Sequence, residues 1–180
     1  ATSVVEDITK CVSMDPKMPG DLVYVIGTTA NELGASEYYD LFEKTGLNIP
    51  EVHFEKFRTV YKALEIAIDK ELVSSCHSVC RGGLGVHLSL MAMGGGLGLE
   101  VDLSKVVLDT GRGDLYNDTL LFSESAGRFI VTICPKHRGI FEKLFNMMPL
   151  SCIGKVTDAH DHLKIDGMDK NPIINLSIEA

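Results

Sequence analysis

Ser74-Ser75-Cys76-His77-Ser78-Val79-Cys80-Arg81-Gly82-Gly83-Leu84 joins a short run of alternating residues to a glycine pair, and an apolar segment over 84–93 follows at once. The alternation has the period of a strand, and the segment after the glycines reads as a buried helix. A strand that turns through two glycines into a helix brings backbone N–H groups and a helix N-terminus to one point. Such a junction is a seat for an anion.

Outward from this junction the chain repeats the same grammar. Residues 21–27, Asp-Leu-Val-Tyr-Val-Ile-Gly, follow the turn signal Pro19-Gly20 and read as a buried strand. A loop over 28–34 leads to a helix over 36–44, with Ser36 as its N-cap and Gly46 as its terminating glycine. Between 53 and 72, apolar residues at Phe57, Val60, Tyr61, Leu64, Ala67, Ile68 and Leu72 share one helical face. Further strands are expected at 73–79, 98–103, 127–134 and 151–157. Further helices are expected at 82–93 and 135–147, the latter with Pro135 in its first turn, and a polar loop at 104–118. With no repeat, low-complexity tract or linker, residues 1–180 read as one α/β layered domain.

A net charge of -8 and a pI near 5.2, without clustered Lys or Arg, exclude a nucleic-acid surface and a polybasic membrane patch. Five cysteines form an odd set with no regular framework and no secretory signal before them, which points to reduced thiols in a cytoplasmic setting. The stretch 82–99 carries no formal charge apart from His87, but its seven glycines suit a buried helix and a glycine-rich turn rather than a membrane span. The sequence opens Ala1-Thr2-Ser3 without an initiator Met and closes on a pattern that continues, Ile173-Ile174-Asn175-Leu176-Ser177-Ile178. A module of a longer polypeptide is the expectation.

Three constellations carry chemistry by their letters. Cys76, His77 and Cys80 offer thiolate and imidazole, but neighbours on a strand face opposite sides, so buried thiols beside a surface histidine are expected instead of a zinc site. Asp158, His160, Asp161 and His162 read as a solvated turn between strands. Adjacency of Cys76 or Cys80 to His77 is no evidence for a nucleophile pair, and Arg112-Gly113-Asp114 reads as a chance loop. No phosphate-binding GxxxxGK[ST] or GxGxxG motif can be placed, so a self-contained nucleotide site is not expected.

Four ordered segments resemble a known family. Glu32-Leu33-Gly34-Ala35-Ser36-Glu37-Tyr38-Tyr39, then His77 to Leu84, then Met91-Ala92-Met93-Gly94-Gly95-Gly96-Leu97-Gly98, then Leu121-Phe122-Ser123-Glu124-Ser125-Ala126-Gly127-Arg128-Phe129 are similar to phosphoribosylformylglycinamidine synthase, large synthetase subunit. The resemblance implies a three-layer α/β/α domain with a central mixed sheet, of the AIR synthetase C-terminal type, from the second half of a longer synthetase. It implies a carbon-nitrogen ligase of purine biosynthesis that converts formylglycinamide ribonucleotide, ATP and glutamine-derived ammonia to formylglycinamidine ribonucleotide. Its catalytic histidine and its Mg-ATP ligands would lie on domains outside this sequence, so no catalytic or metal residue is expected here and the piece alone would be inactive.

The same resemblance implies partners: N-terminal-type domains of the same polypeptide, a glutaminase subunit and a small accessory subunit, with no nucleic acid and no membrane. The candidate substrate- or phosphate-binding residues are Gly34, Ser36, Glu37, His77, Arg81, Gly82 and Gly83, facing a cleft completed by another domain. Two departures stand out. Ser78-Val79-Cys80-Arg81 replaces an Asp-Val-Ser-Glu pattern, and Ala35 stands where glycine is usual. Arg81 beside a helix N-terminus favours an anion. The alternatives are a domain of another enzyme of this fold, such as AIR synthetase, selenophosphate synthetase or thiamine monophosphate kinase, and a purely structural or docking domain.

Overall fold

Val23, Tyr24, Val25 and Ile26 point alternately into two different cores, and this alternation organises the molecule. The computed structural model describes residues 4–5, 7–159 and 162–178. Strand β1 (Leu22–Ile26) lies inside a seven-stranded sheet of order β3-β6-β1-β7-β4-β8-β9, built with β3 (Ser75–Val79), β4 (Leu97–Asp102), β6 (Arg128–Ile133), β7 (Leu150–Ala159), β8 (His162–Asp166) and β9 (Pro172–Ser177). β1 pairs antiparallel with both β6 and β7, whereas β4 and β8 run parallel, so the sheet is mixed. A separate pair of two-residue strands, β2 (Thr29–Ala30) and β5 (Leu108–Asp109), is parallel.

Helices cover both faces. On one side α3 (Gly83–Gly95) presents Leu84, Leu88, Met91 and Ala92 to Val23, Val25, Leu99, Ile130 and Ile153, with α4 (Asn117–Phe122) beside it. On the other side α2 (Phe54–Asp69) buries Val60, Ala63, Leu64 and Ala67, the i, i+3, i+4, i+7 set of an amphipathic helix, together with α5 (Arg138–Leu144). Tyr24 crosses into this second core and its hydroxyl donates to Glu142 Oε1 at 2.7 Å, tying the sheet to α5. The result is the expected α/β/α layering around a mixed sheet.

Several elements depart from expectation. The helix over 36–44 shrinks to α1 (Glu37–Asp40), because Ala35 and Glu43 both take positive φ and the chain turns sharply at each. The loop over 104–118 contains β5 and leads into α4, whose apolar Leu120 and Leu121 pack under α3. The strand over 151–157 is longer, running to Ala159, and β8 opens at His162, so of the expected turn Asp158 lies within β7 and His162 within β8; His160 and Asp161 lie outside the described residues. Among the described residues no helix is long and apolar enough to cross a membrane.

Candidate functional site at two glycine junctions

Both glycine junctions converge on one side chain, Glu124. Its Oε1 accepts the Gly82 amide at 2.9 Å and the Glu37 amide at 2.9 Å, so the N-terminal ends of α3 and α1 share one carboxylate oxygen. The anion received at the Gly82 junction is therefore supplied by the chain itself. Across the same gap the Arg81 guanidinium pairs with the Glu37 carboxylate. Arg81 is the most accessible member of the group, with its side chain 82% exposed.

Glu124 is held by its neighbours. Ser123 Oγ donates to the Ala30 carbonyl at 2.7 Å and the Ala30 amide donates to Ser125 Oγ at 3.1 Å, fixing the loop before β6 against β2. Beneath it Arg128 is wholly buried and donates through Nε to the Ser125 carbonyl, through Nη2 to the Ser123 carbonyl and through Nη1 to Thr29 Oγ1. Burial pulls the guanidinium down to about 10, opposed by the charges of Glu32 and Glu124, so it stays charged at neutral pH. Glu32 is also buried and accepts from Arg112 Nη1 and from the Glu51 amide. That pairing gives the arginine of Arg112-Gly113-Asp114 an internal structural partner.

The glycines and Ser36 carry packing. A methyl on Gly83, whose φ is +71°, would stand 2.6 Å from the Leu121 carbonyl oxygen, so only glycine lets α3 start this close to α4. Gly34 lies against the backbone of Asn48 and Ile49, and its amide donates to the Asn48 carbonyl at 2.8 Å. Ser36 is buried, accepts the Tyr39 amide at 3.2 Å and donates to the Leu33 carbonyl at 2.7 Å, as an N-cap does.

His77 faces the opposite way from Cys76. Cys76 packs into the α2/α5 core, and burial pushes its thiol up to about 11. His77 Nε2 instead lies 2.8 Å from Nδ1 of His87 on α3, a buried histidine that the motif reading passed over. Burial holds both rings below the ordinary imidazole range, and for His87 the neighbouring His77 adds to it. The expectation of two buried thiols beside a surface histidine is corrected: Cys80 is exposed because the strand ends at Val79 and the chain turns outward, and His77 is half-buried because its ring packs against His87. Among the described residues no three His, Cys, Asp or Glu side chains converge as metal ligands would. A separate cavity of about 810 Å³ lies between α2 and the Gly27 and Gly127 turns, away from these residues.

Residues 18–166 match the model for AIR synthase related protein, C-terminal domain. The chain belongs to this family. This C-terminal domain is 38% identical over 156 residues to phosphoribosylformylglycinamidine synthase subunit PurL of Thermococcus sibiricus, covering 85% of the chain and 20% of that relative. It is 33% identical over 178 residues to the PurL subunit of Methanocaldococcus jannaschii, covering 97% of the chain and 23% of the relative. The domain thus spans about a fifth of the length of the curated relatives it matches. In fold it is similar to PurL of Thermotoga maritima, solved in complex with FGAR, with a TM-score of 0.80 and 19% identity over 96% of the domain and 29% of that chain. The Thermotoga protein is also solved with ATP and as PurLQS.

Proposed function

We propose that residues 1–180 form one domain of a phosphoribosylformylglycinamidine synthase large subunit, and that the edge formed by Arg81, Glu37 and His77 is one wall of its ligand cleft. The observation that carries this reading is the shared carboxylate: Glu124 Oε1 brings the two junctions, 45 residues apart in the chain between Glu37 and Gly82, to one place. Gly34, Ser36 and Gly83 shape the wall through packing, Gly82 anchors it through its amide, and Arg81 supplies the accessible charge. An exposed guanidinium at this lip suits a phosphate on the ribonucleotide substrate, by exchange of its Glu37 partner.

The residues present do not fit a Mg-ATP site. The Gly82 amide is already bonded to Glu124, and no metal-ligand cluster forms among the described residues, so nucleotide and Mg would be held by other domains of the polypeptide. A cytoplasmic setting belongs to the same reading, as does assembly with a glutaminase subunit and a small accessory subunit, the latter supported by the PurLQS structure of the Thermotoga protein.

In the full-length synthase, Arg81→Ala is expected to raise the KM for the formylglycinamide ribonucleotide about tenfold while leaving the unfolding midpoint in place, the loss of one charge-assisted contact. An unchanged KM with unchanged folding would sink the cleft-wall reading. The alternative of a docking domain has its own support. Leu41, Phe42, Leu47, Ile49, Val52 and Phe54 are all exposed on one segment after α1. Leu47→Ser with Phe54→Ser would then loosen assembly of the full-length enzyme and leave KM untouched.

A further inference from the structure

His87 Nε2 lies 3.0 Å from the amide nitrogen of Cys80. A backbone N–H can only donate, so Nε2 carries a lone pair and the neutral ring keeps its proton on Nδ1, which donates to His77 Nε2 at 2.8 Å. The Arg81 carbonyl oxygen stands 3.2 Å from the same Nε2, and the Cys80 thiol 3.4 Å. One ring atom therefore faces both an amide that needs an acceptor and a carbonyl that needs a donor. His87 is only 4% exposed, so water does not readily replace either partner.

We propose that His87 is the positioning residue of the Cys80–Gly82 turn, and that a proton taken up at Nε2 switches its partner from the Cys80 amide to the Arg81 carbonyl. In the neutral state Nε2 fixes the Cys80 amide, and the turn holds Arg81 and Gly82 against Glu37 and Glu124. With the extra proton, Nε2–H donates to the Arg81 carbonyl and the Cys80 amide is left without an acceptor, so the turn rearranges. The proton comes from solvent and no covalent bond changes besides the new N–H. The charged and titratable groups facing the ring are His77 from β3, Arg128 from β6 and the Cys80 thiol from the turn itself; Arg81 presents only its backbone carbonyl, its guanidinium being turned out to Glu37. His77 and Arg128 disfavour a second charge, and burial acts in the same direction. What the switch does to a ligand rests on the cleft-wall reading above; the response of the turn does not.

The test uses the 180-residue chain without ligand, so it stands whatever becomes of that reading. Long-range proton-nitrogen spectra of the imidazoles and amide spectra of the backbone are followed from about pH 8 to pH 5. The expected result is a His87 ring bare at Nε2 at high pH, and Cys80, Arg81 and Gly82 amides that shift together with a midpoint below about 6.5. In His87→Gln, whose side-chain oxygen can accept from the Cys80 amide without titrating, these shifts are lost. If that variant does not fold, His77→Gln is expected to move the midpoint of the turn upward by removing a like charge. A proton on Nε2 at pH 8, or turn amides that stay put while His87 titrates, would overturn the proposal.

Discussion

A single oxygen of Glu124 holds two backbone amides, and its loss leaves both without a partner. Glu124→Ala is expected to destabilise the fold by about 2–3 kcal/mol, the scale of hydrogen bonds to a charged group, while Glu124→Gln, which keeps the acceptor, costs about half as much or less. Urea unfolding of the two variants measures this, and equal small losses would show that the carboxylate is no tether. Thiol chemistry follows burial in the same way. Cys11 and Cys80 are exposed, whereas Cys76 is packed in the α2/α5 core with its thiol raised to about 11. Timed alkylation read by mass spectrometry is expected to label Cys11 and Cys80 first and Cys76 last, and rapid labelling of Cys76 in the folded chain would contradict this packing.

Among the elements, α3 depends most on one residue type at one place. Gly83→Ala combines a left-handed φ with a methyl pressed on the Leu121 carbonyl, so a loss of about 3 kcal/mol or more is expected. Leu88→Ala, wholly buried on the same helix, is expected to cost about 2–5 kcal/mol through the cavity it leaves. Thermal melts rank the two. The elements legible in the sequence, β1, α2, β3, α3 and β6, are those whose apolar pattern and flanking glycines agree. The missed elements lack such a pattern: β2 and β5 are two residues each, α4 has only six residues and begins within the polar stretch, and β9 is exposed along most of its length. At the candidate site the glycines are legible because backbone geometry demands them. Glu124, His87 and Arg128 are not, since their partners lie on distant strands and helices and no local spacing marks them.

For the whole molecule, the pair of buried His87 and half-buried His77 sets a direction for pH. His77 and His87 have folded values below their unfolded ones, so the unfolded chain binds more protons as pH falls through about 6.5. Stability from this pair is full above that value and is lost below it. Melting midpoints at about pH 7.5 and pH 5.5 are expected to fall toward acid in the native chain and to fall less in His87→Gln. An acid-insensitive native chain would show that the pair is solvated in the folded state.

The layering of two cores on one sheet also has a temporal consequence. β1 ends at Ile26, yet its partners β6 and β7 begin at Arg128 and Leu150, more than 100 residues later. During synthesis at about 5–20 residues per second, β1 waits several seconds after leaving the ribosome with both edges bare and both faces apolar. Val23 to Ile26 is therefore an apolar segment that a nascent-chain chaperone would find open for a long interval, and one where premature pairing between neighbouring copies on a polysome would begin.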